Sequence, residues 1–288
     1  MDETKNPTGE EQSDNNRADR ALQIEQTVEQ TNAISTEISQ SQPLIGIKES
    51  PSVLLPEYKD NPKPGFIKGV EDLCERYSSL RRVRGDGNCF YRAFLFNLLE
   101  GIVAGIKGGG EAGERARAEL ERLRATVTKS KEMLIALGYS EVAFEMFWEA
   151  FVEELTSLPN KTPEQLQNEF LEEGGACEYL VWFCRLLTSA FLKLHSDSRF
   201  LPFLTQAEDM YSFCQREVEP MGKECEQVQI MALCEHLAIP VRIEYLDGQD
   251  FSGTLGNIVL PYLDRTGPPA VTLLYRPGHY DVLYANSQ

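Results

Sequence analysis

The sequence predicts an α+β or α/β unit with a mostly antiparallel sheet, on three observations. Helical patterns fill the middle of the chain, from about residue 66 to 238. Alternating strand patterns fill the end, and the last two are joined by the turn Arg276-Pro277-Gly278-His279. Helices first and strands last, closed by a hairpin, is the order such a unit requires. No internal repeat is visible.

The first 57 residues contain no Phe, Tyr, Trp or Cys, and 11 Asp and Glu stand there against 4 Lys and Arg. Residues 1–20 are therefore read as a disordered acidic tail, with too little apolar surface to offset the entropy of ordering. From Ala21 to Ile38 the pattern shifts: Ile24 and Val28 are four apart, as are Ile34 and Ile38, the spacing of a weak amphipathic helix. Such a segment is either a frayed, solvated tail or a helix that orders on a partner. Pro43, Pro51, Pro56, Pro62 and Pro64 then punctuate a linker-like stretch. Residues 21–65 thus read as an N-terminal helix and linker arm, and 66–288 as one globular unit.

Within that unit, Ile67 to Leu80 has amphipathic helical spacing, and Arg81 to Arg84 reads as extended. The turn Gly85-Asp86-Gly87-Asn88 follows. Cys89 to about Gly101 is apolar on nearly every side, as a fully buried helix should be. Five glycines between Gly105 and Gly113 predict a loop. Helices are predicted at about 114–137, 141–155 and 163–173, the last with Thr162 as N-cap, Gln165 completing a capping box and Gly174 as its stop. A second helix apolar all round covers 177–194, and two more cover 205–215 and 224–238. Val241, Ile243 and Tyr245 alternate with Arg242 and Glu244 as a half-buried strand; Val271–Tyr275 and Tyr280–Tyr284 are two further strands.

Composition narrows the function. With 28 Lys and Arg against 45 Asp and Glu the net charge is −17, which argues against a nucleic-acid binder. Seven cysteines form no CxxC pair, so neither a tetrahedral zinc site nor any other metal or cofactor is expected. The acidic, polar start is unlike a signal peptide. The apolar run from Tyr179 to Leu194 is broken by Arg185 and Lys193, so no membrane span is expected. Reduced cysteines in a cytosolic or nuclear protein account for these features.

Chemistry concentrates at two places. Gly85 and Gly87 let the backbone turn tightly, and Asn88 is a candidate N-cap that sets Cys89 in the first turn of a buried helix. A thiol there feels the positive end of the helix dipole, which favours thiolate, and the loop amides suit a developing oxyanion. A lone cysteine is more often a small buried hydrophobe, and the other six, in plain helical patterns, read as core. Of three histidines, His195 closes a helix and His236 lies on a helix flank. His279 differs: it opens a strand, and Asp281 two residues on shares its face. That carboxylate is placed to fix the imidazole tautomer and stabilise imidazolium. Cys89, His279 and Asp281 make a set for nucleophilic catalysis, and no GxSxG, P-loop or HExxH competes with it.

The same residues carry a family resemblance. Asp86-Gly87-Asn88-Cys89-Phe90-Tyr91-Arg92-Ala93-Phe94 resembles the cysteine motif of ovarian-tumour (OTU) deubiquitinases. Leu274-Tyr275-Arg276-Pro277-Gly278-His279-Tyr280-Asp281 resembles the histidine motif of one branch, the otubains. Arg185-Leu186-Leu187-Thr188-Ser189 and the stretch Phe213 to Met221 also resemble otubain segments, and the likeness spans about residues 43–285. It implies a papain-like α+β fold with its sheet between helices. It also implies a cysteine isopeptidase that removes ubiquitin from lysine and favours chains linked through ubiquitin lysine 48. Carried over by position, Cys89 is the nucleophile, His279 the general base and acid, and Asp281 the orienting carboxylate. Asp86 belongs to the oxyanion-hole loop through its backbone amide. The implied partners are ubiquitin, polyubiquitin and ubiquitin-conjugating enzymes; the alternative implied function is a non-catalytic inhibitor that binds charged conjugating enzymes through the 21–40 helix. Two departures are the glycines of 105–113, which look like an insertion, and Gly85, where the family often has proline and where the loop is expected to loosen.

Overall fold

The computed structural model describes Glu37 and residues 41–196, 199–204, 209–261 and 270–286. The acidic tail at 1–20, the helix predicted over 21–38 (Glu37 apart) and the first residues of the one predicted at 205–215 lie outside these. Every element below belongs to the compact unit Pro43–Gln288.

The unit opens with strand β1 (Ile45–Glu49) and the short helix α1 (Leu55–Tyr58). Both fall where the prolines predicted a linker, and that reading is corrected: β1 pairs antiparallel with the next strand, and Leu54 is fully buried. Helix α2 (Gly65–Arg76) leads into β2 (Tyr77–Val83). The predicted helix ran four residues further, to Leu80. Tyr77 and Leu80 are three apart, which suits a helix, but a bulge between Tyr77 and Ser79 lets both reach one sheet face, and pairing with the last strand decides the outcome.

Helix α3 (Cys89–Gly108) is the core of the unit. It is long and apolar enough to cross a membrane, yet 78% of its most apolar window is buried inside the domain. Helix α4 (Gly110–Ala136) follows after Gly109 alone, so the predicted loop at 105–113 is overturned. Gly109 and Gly110 (φ +67° and +58°) make the reversal, and Gly105 and Gly113 let the two helices touch: a Cβ on Gly105 would fall 2.8 Å from the Ala116 Cβ. The glycines build a tight helical hairpin rather than a loop.

Helices α5 (Glu141–Ser157), α6 (Pro163–Leu171) and α7 (Ala176–Leu194) stand close to their predicted places. The capping box of Thr162 and Gln165 is formed, and Gly174 ends the turn after α6 at φ +69°. A short helix α8 (Met210–Phe213) runs into a π-turn at Cys214–Val218, and α9 (Gln227–Leu237) precedes β3 (Val241–Tyr245), β4 (Asn257–Leu260), β5 (Val271–Arg276) and β6 (His279–Ala285).

The six strands lie in the order β1-β2-β6-β5-β3-β4, and only β3 and β5 pair in parallel. Strand alternation divides the side chains between two cores. Val83, Ile243, Leu273 and Val282 face the cluster built on α3 and α7, whereas Leu80, Leu274 and Leu283 join Phe66, Val70 and Leu73 of α2 on the other side. The sheet is thus packed between helices, in the α+β arrangement expected. One cysteine departs from its reading: Cys74, on the outer side of α2, is exposed and not part of a core.

Candidate active site

The end of β2, the start of α3 and the β5–β6 hairpin converge at one place. Cys89 is the first residue of α3, buried at 4% exposure. Its backbone amide heads the helix, where no intrahelical acceptor exists. Gly87 makes the turn before it at φ +76°, and a Cβ there would fall 2.2 Å from the Gly222 carbonyl oxygen. Conformation and space both demand glycine at this position. Gly85 is different: a Cβ on it would make ordinary contact with His279 Nδ1 at 3.5 Å.

The hairpin register sets Arg276 opposite His279 and Leu274 opposite Asp281. Gly278, at φ +74°, closes the turn. His279 Nε2 donates to Asp281 Oδ1 at 2.9 Å, and the Cys89 thiol lies beside the ring. Sulfur, imidazole and carboxylate are therefore brought together from opposite ends of the domain's sequence. Burial pulls the His279 pKa down, but the hydrogen bond to the Asp281 carboxylate and its charge, with Cys89 beside the ring, outweigh it and raise the pKa to about 9.

Asp281 is fully buried, and both its oxygens are engaged. Oδ1 accepts from the Val83 amide (2.9 Å) as well as from His279, and Oδ2 accepts from Arg276 Nε (3.0 Å) and Nη2 (2.7 Å). Burial alone would raise its pKa; the His279 hydrogen bond and the Arg276 charge hold it below the usual carboxylate range.

Asp86 stands in the loop before Cys89, and its carboxylate is committed to building it. Oδ1 accepts from the Asn88 amide and from Arg92 Nη1, each at 3.0 Å, and Oδ2 from Arg92 Nη2 at 2.7 Å. Burial pushes its pKa up, but the buried Arg92 guanidinium overrides this and keeps it ionised. Asn88 holds the N-cap position, yet its side chain makes no cap bond, which corrects the expectation drawn for it. Its Oδ1 instead accepts from Arg185 Nη2 (2.8 Å) and from the Gly222 amide (3.0 Å).

Arg185, on α7, is fully buried and also donates to the carbonyls of Gly87 (2.8 Å), Val218 (3.0 Å) and Lys223 (2.7 Å). It fastens the loop before Cys89 to the segment after the π-turn. Neither Arg185 nor Arg92 was assigned a role from sequence, although both lie in the quoted motifs. The sign that could have marked them is an arginine inside an otherwise apolar buried helix, which must find several acceptors.

The other two histidines pack around Phe191. His195 Nδ1 lies 2.8 Å from the Phe191 carbonyl, and burial lowers the His236 pKa to about 4. Among the described residues no group of three or more metal-ligating side chains clusters.

Comparison with known proteins agrees with this geometry. Residues 37–285 match the sequence model of Peptidase C65 Otubain. The chain is 36% identical over 255 residues to rat ubiquitin thioesterase OTUB1, covering 88% of each. It is 33% identical over 274 residues to an Arabidopsis thaliana ovarian tumor domain-containing deubiquitinating enzyme, covering 90% of this chain and 86% of that one. Among solved structures, h/ceOTUB1–ubiquitin aldehyde–UBCH5B~Ub superposes with a TM-score of 0.82 at 32% identity, covering 93% of this chain and 100% of that one. The chain belongs to peptidase family C65, the otubains.

Proposed function

We propose that this otubain is a deubiquitinating cysteine isopeptidase in which Cys89 is the nucleophile, His279 the general base and acid, Asp281 the carboxylate that orients it, and Asp86 a member of the oxyanion-hole loop. The observation that carries the reading is the His279 ring, which donates to a buried carboxylate and lies beside a thiol at a helix N-terminus.

The chemistry follows from these positions. Cys89 sulfur attacks the carbonyl carbon of the terminal glycine of ubiquitin, and the oxygen takes up the negative charge beside the start of α3. The Asn88 amide is already taken by Asp86, so the Cys89 amide and the earlier loop amides are the donors for that oxygen. As the tetrahedral centre collapses, the C–N bond breaks and the imidazolium gives its proton to the departing lysine amine. A thioester remains. Water then attacks it, its proton passing to His279, and the sulfur leaves as the free carboxylate of ubiquitin is released.

The rat relative is a ubiquitin thioesterase, and the solved OTUB1 complexes hold ubiquitin aldehyde and charged conjugating enzymes. Ubiquitin and ubiquitin-charged conjugating enzymes are accordingly the partners we assign to this chain. Chains linked through ubiquitin lysine 48 are the substrate we assign among ubiquitin polymers. Diubiquitin cleavage tests the reading: Cys89→Ala and His279→Ala abolish it with the fold retained, and wild-type cleavage by Cys89→Ala would refute it. A panel of linkages at matched concentration tests the preference.

A second reading, sequestration of charged conjugating enzymes, draws on the same complexes. Deleting residues 1–40 separates the two. Under the binding reading, inhibition of chain assembly disappears while hydrolysis of a minimal substrate persists.

A further inference from the structure

Arg276 spends its hydrogen bonds in an unusual way. Two of its N–H groups, Nε and Nη2, close on the single oxygen Oδ2 of Asp281, at 3.0 and 2.7 Å. A third, Nη1, turns outward to Glu57 Oε2 at 3.0 Å. Glu57 belongs to α1 and is also ion-paired with Arg82 of β2. That helical turn is itself fixed, because the adjoining Leu54 is fully buried in the cluster with Leu274 and Leu283.

The consequence for Asp281 is geometric. A buried carboxylate with one oxygen unpaired either takes a proton or rotates to find a donor. Either change moves or removes the acceptor that His279 Nε2 needs. The Val83 amide and His279 occupy Oδ1, and the two Arg276 hydrogen bonds on Oδ2 hold the other end of the carboxylate.

We propose that Arg276 is a positioning residue for catalysis: it fixes the plane of the Asp281 carboxylate and keeps it ionised, and Glu57 anchors Arg276 from the far side. Helix α1 then belongs to the active site, although it lies more than two hundred positions before the hairpin it serves. The inference rests on the assignment of Cys89, His279 and Asp281 made above.

Double-mutant kinetics on the full-length chain test it, with ubiquitin carrying a C-terminal fluorogenic amide as substrate and the rate of Cys89 capture by an electrophilic ubiquitin as a second readout. Arg276→Gln lowers kcat and capture by about tenfold with KM within about twofold, and Arg276→Lys recovers part of the loss. In an Asp281→Asn background the same Arg276→Gln change costs less than about twofold, because its target is already gone. A loss as large in that background as in the wild type would show a general structural role and overturn the proposal, as would wild-type kcat in Arg276→Gln. If Arg276→Gln fails to fold, Glu57→Gln takes its place: a loss of about threefold that vanishes with Asp281→Asn supports the proposal, and an unchanged or additive effect overturns it. Full activity in Asp281→Asn itself would instead sink the underlying catalytic assignment.

Discussion

Asn88 Oδ1 accepts a 2.8 Å hydrogen bond from Arg185 Nη2, which ties the residue before Cys89 to the middle of a helix 97 positions later. The same oxygen holds the Gly222 amide, so one side chain joins three segments around Cys89. Asn88→Ala leaves the Gly222 amide without that acceptor, while Arg185 Nη2 keeps the Gly87 and Lys223 carbonyls. The expected result is a stability loss of about 1–3 kcal/mol by urea unfolding, the cost of one stranded donor, together with a fall in kcat. A variant as stable and active as wild type would show that the clamp is dispensable.

Gly87→Ala isolates the loop from the rest of the fold. The added Cβ meets the Gly222 carbonyl at 2.2 Å and the φ of +76° disfavours any side chain, so the turn has to move. A displacement of about 1 Å at reacting atoms costs on the order of a hundredfold in rate. Turnover of a minimal ubiquitin substrate should fall by about that factor, while circular dichroism keeps the wild-type helical signal.

The raised His279 pKa has a definite sign in pH experiments. The folded value of about 9 lies above the unfolded value near 6.5, so this group's contribution to stability is complete below about 6.5 and is lost as pH rises through about 9. In the proposed mechanism the proton that His279 gives to the leaving amine is lost over the same range. kcat/KM should therefore decline on an alkaline limb near 9, and Asp281→Asn, which removes the carboxylate charge, should move that limb to lower pH. An alkaline limb unchanged by Asp281→Asn would contradict the pairing.

Away from the site, Arg76 supplies a stability control. It donates to Glu244 at 2.9 and 2.8 Å, and the Glu244 side chain is fully buried. Arg76→Leu takes the nearest cation and two hydrogen bonds from that carboxylate and leaves it the Tyr77 hydroxyl and Arg242 at 4.0 Å, so the expected loss lies below the about 3–5 kcal/mol of a fully broken buried pair. Chemical denaturation should show the loss.

Much of this was legible in the sequence because local and tertiary preferences agreed. The all-round apolar runs after Cys89 and Ala176 read as central helices and are central; Thr162 and Gln165 read as a capping box and form one. The His279–Asp281 pair followed from strand alternation alone. Where the reading failed, a local signal had two physical solutions. Glycines at 105 and 113 serve a helix crossing as readily as a loop, and Tyr77 and Leu80 suit a helix or a bulged strand. Strand β1 is invisible without β2, since the prolines around it describe a linker equally well. The partners of Asp281 and Asn88 were hidden for another reason. Arg276 and Arg185 reveal their targets only when the sheet and α7 bring distant acceptors within reach, and no spacing rule encodes that.

The central claim is tested most directly by treating the full chain with ubiquitin bearing a C-terminal electrophile and mapping the adduct by mass spectrometry. Burial pushes Cys177 and Cys214 up to about 12 and 11, which disfavours their thiolates as competitors. The account predicts one adduct, on Cys89, absent from Cys89→Ala. An adduct on any other cysteine, or none under conditions where the chain cleaves diubiquitin, would contradict it.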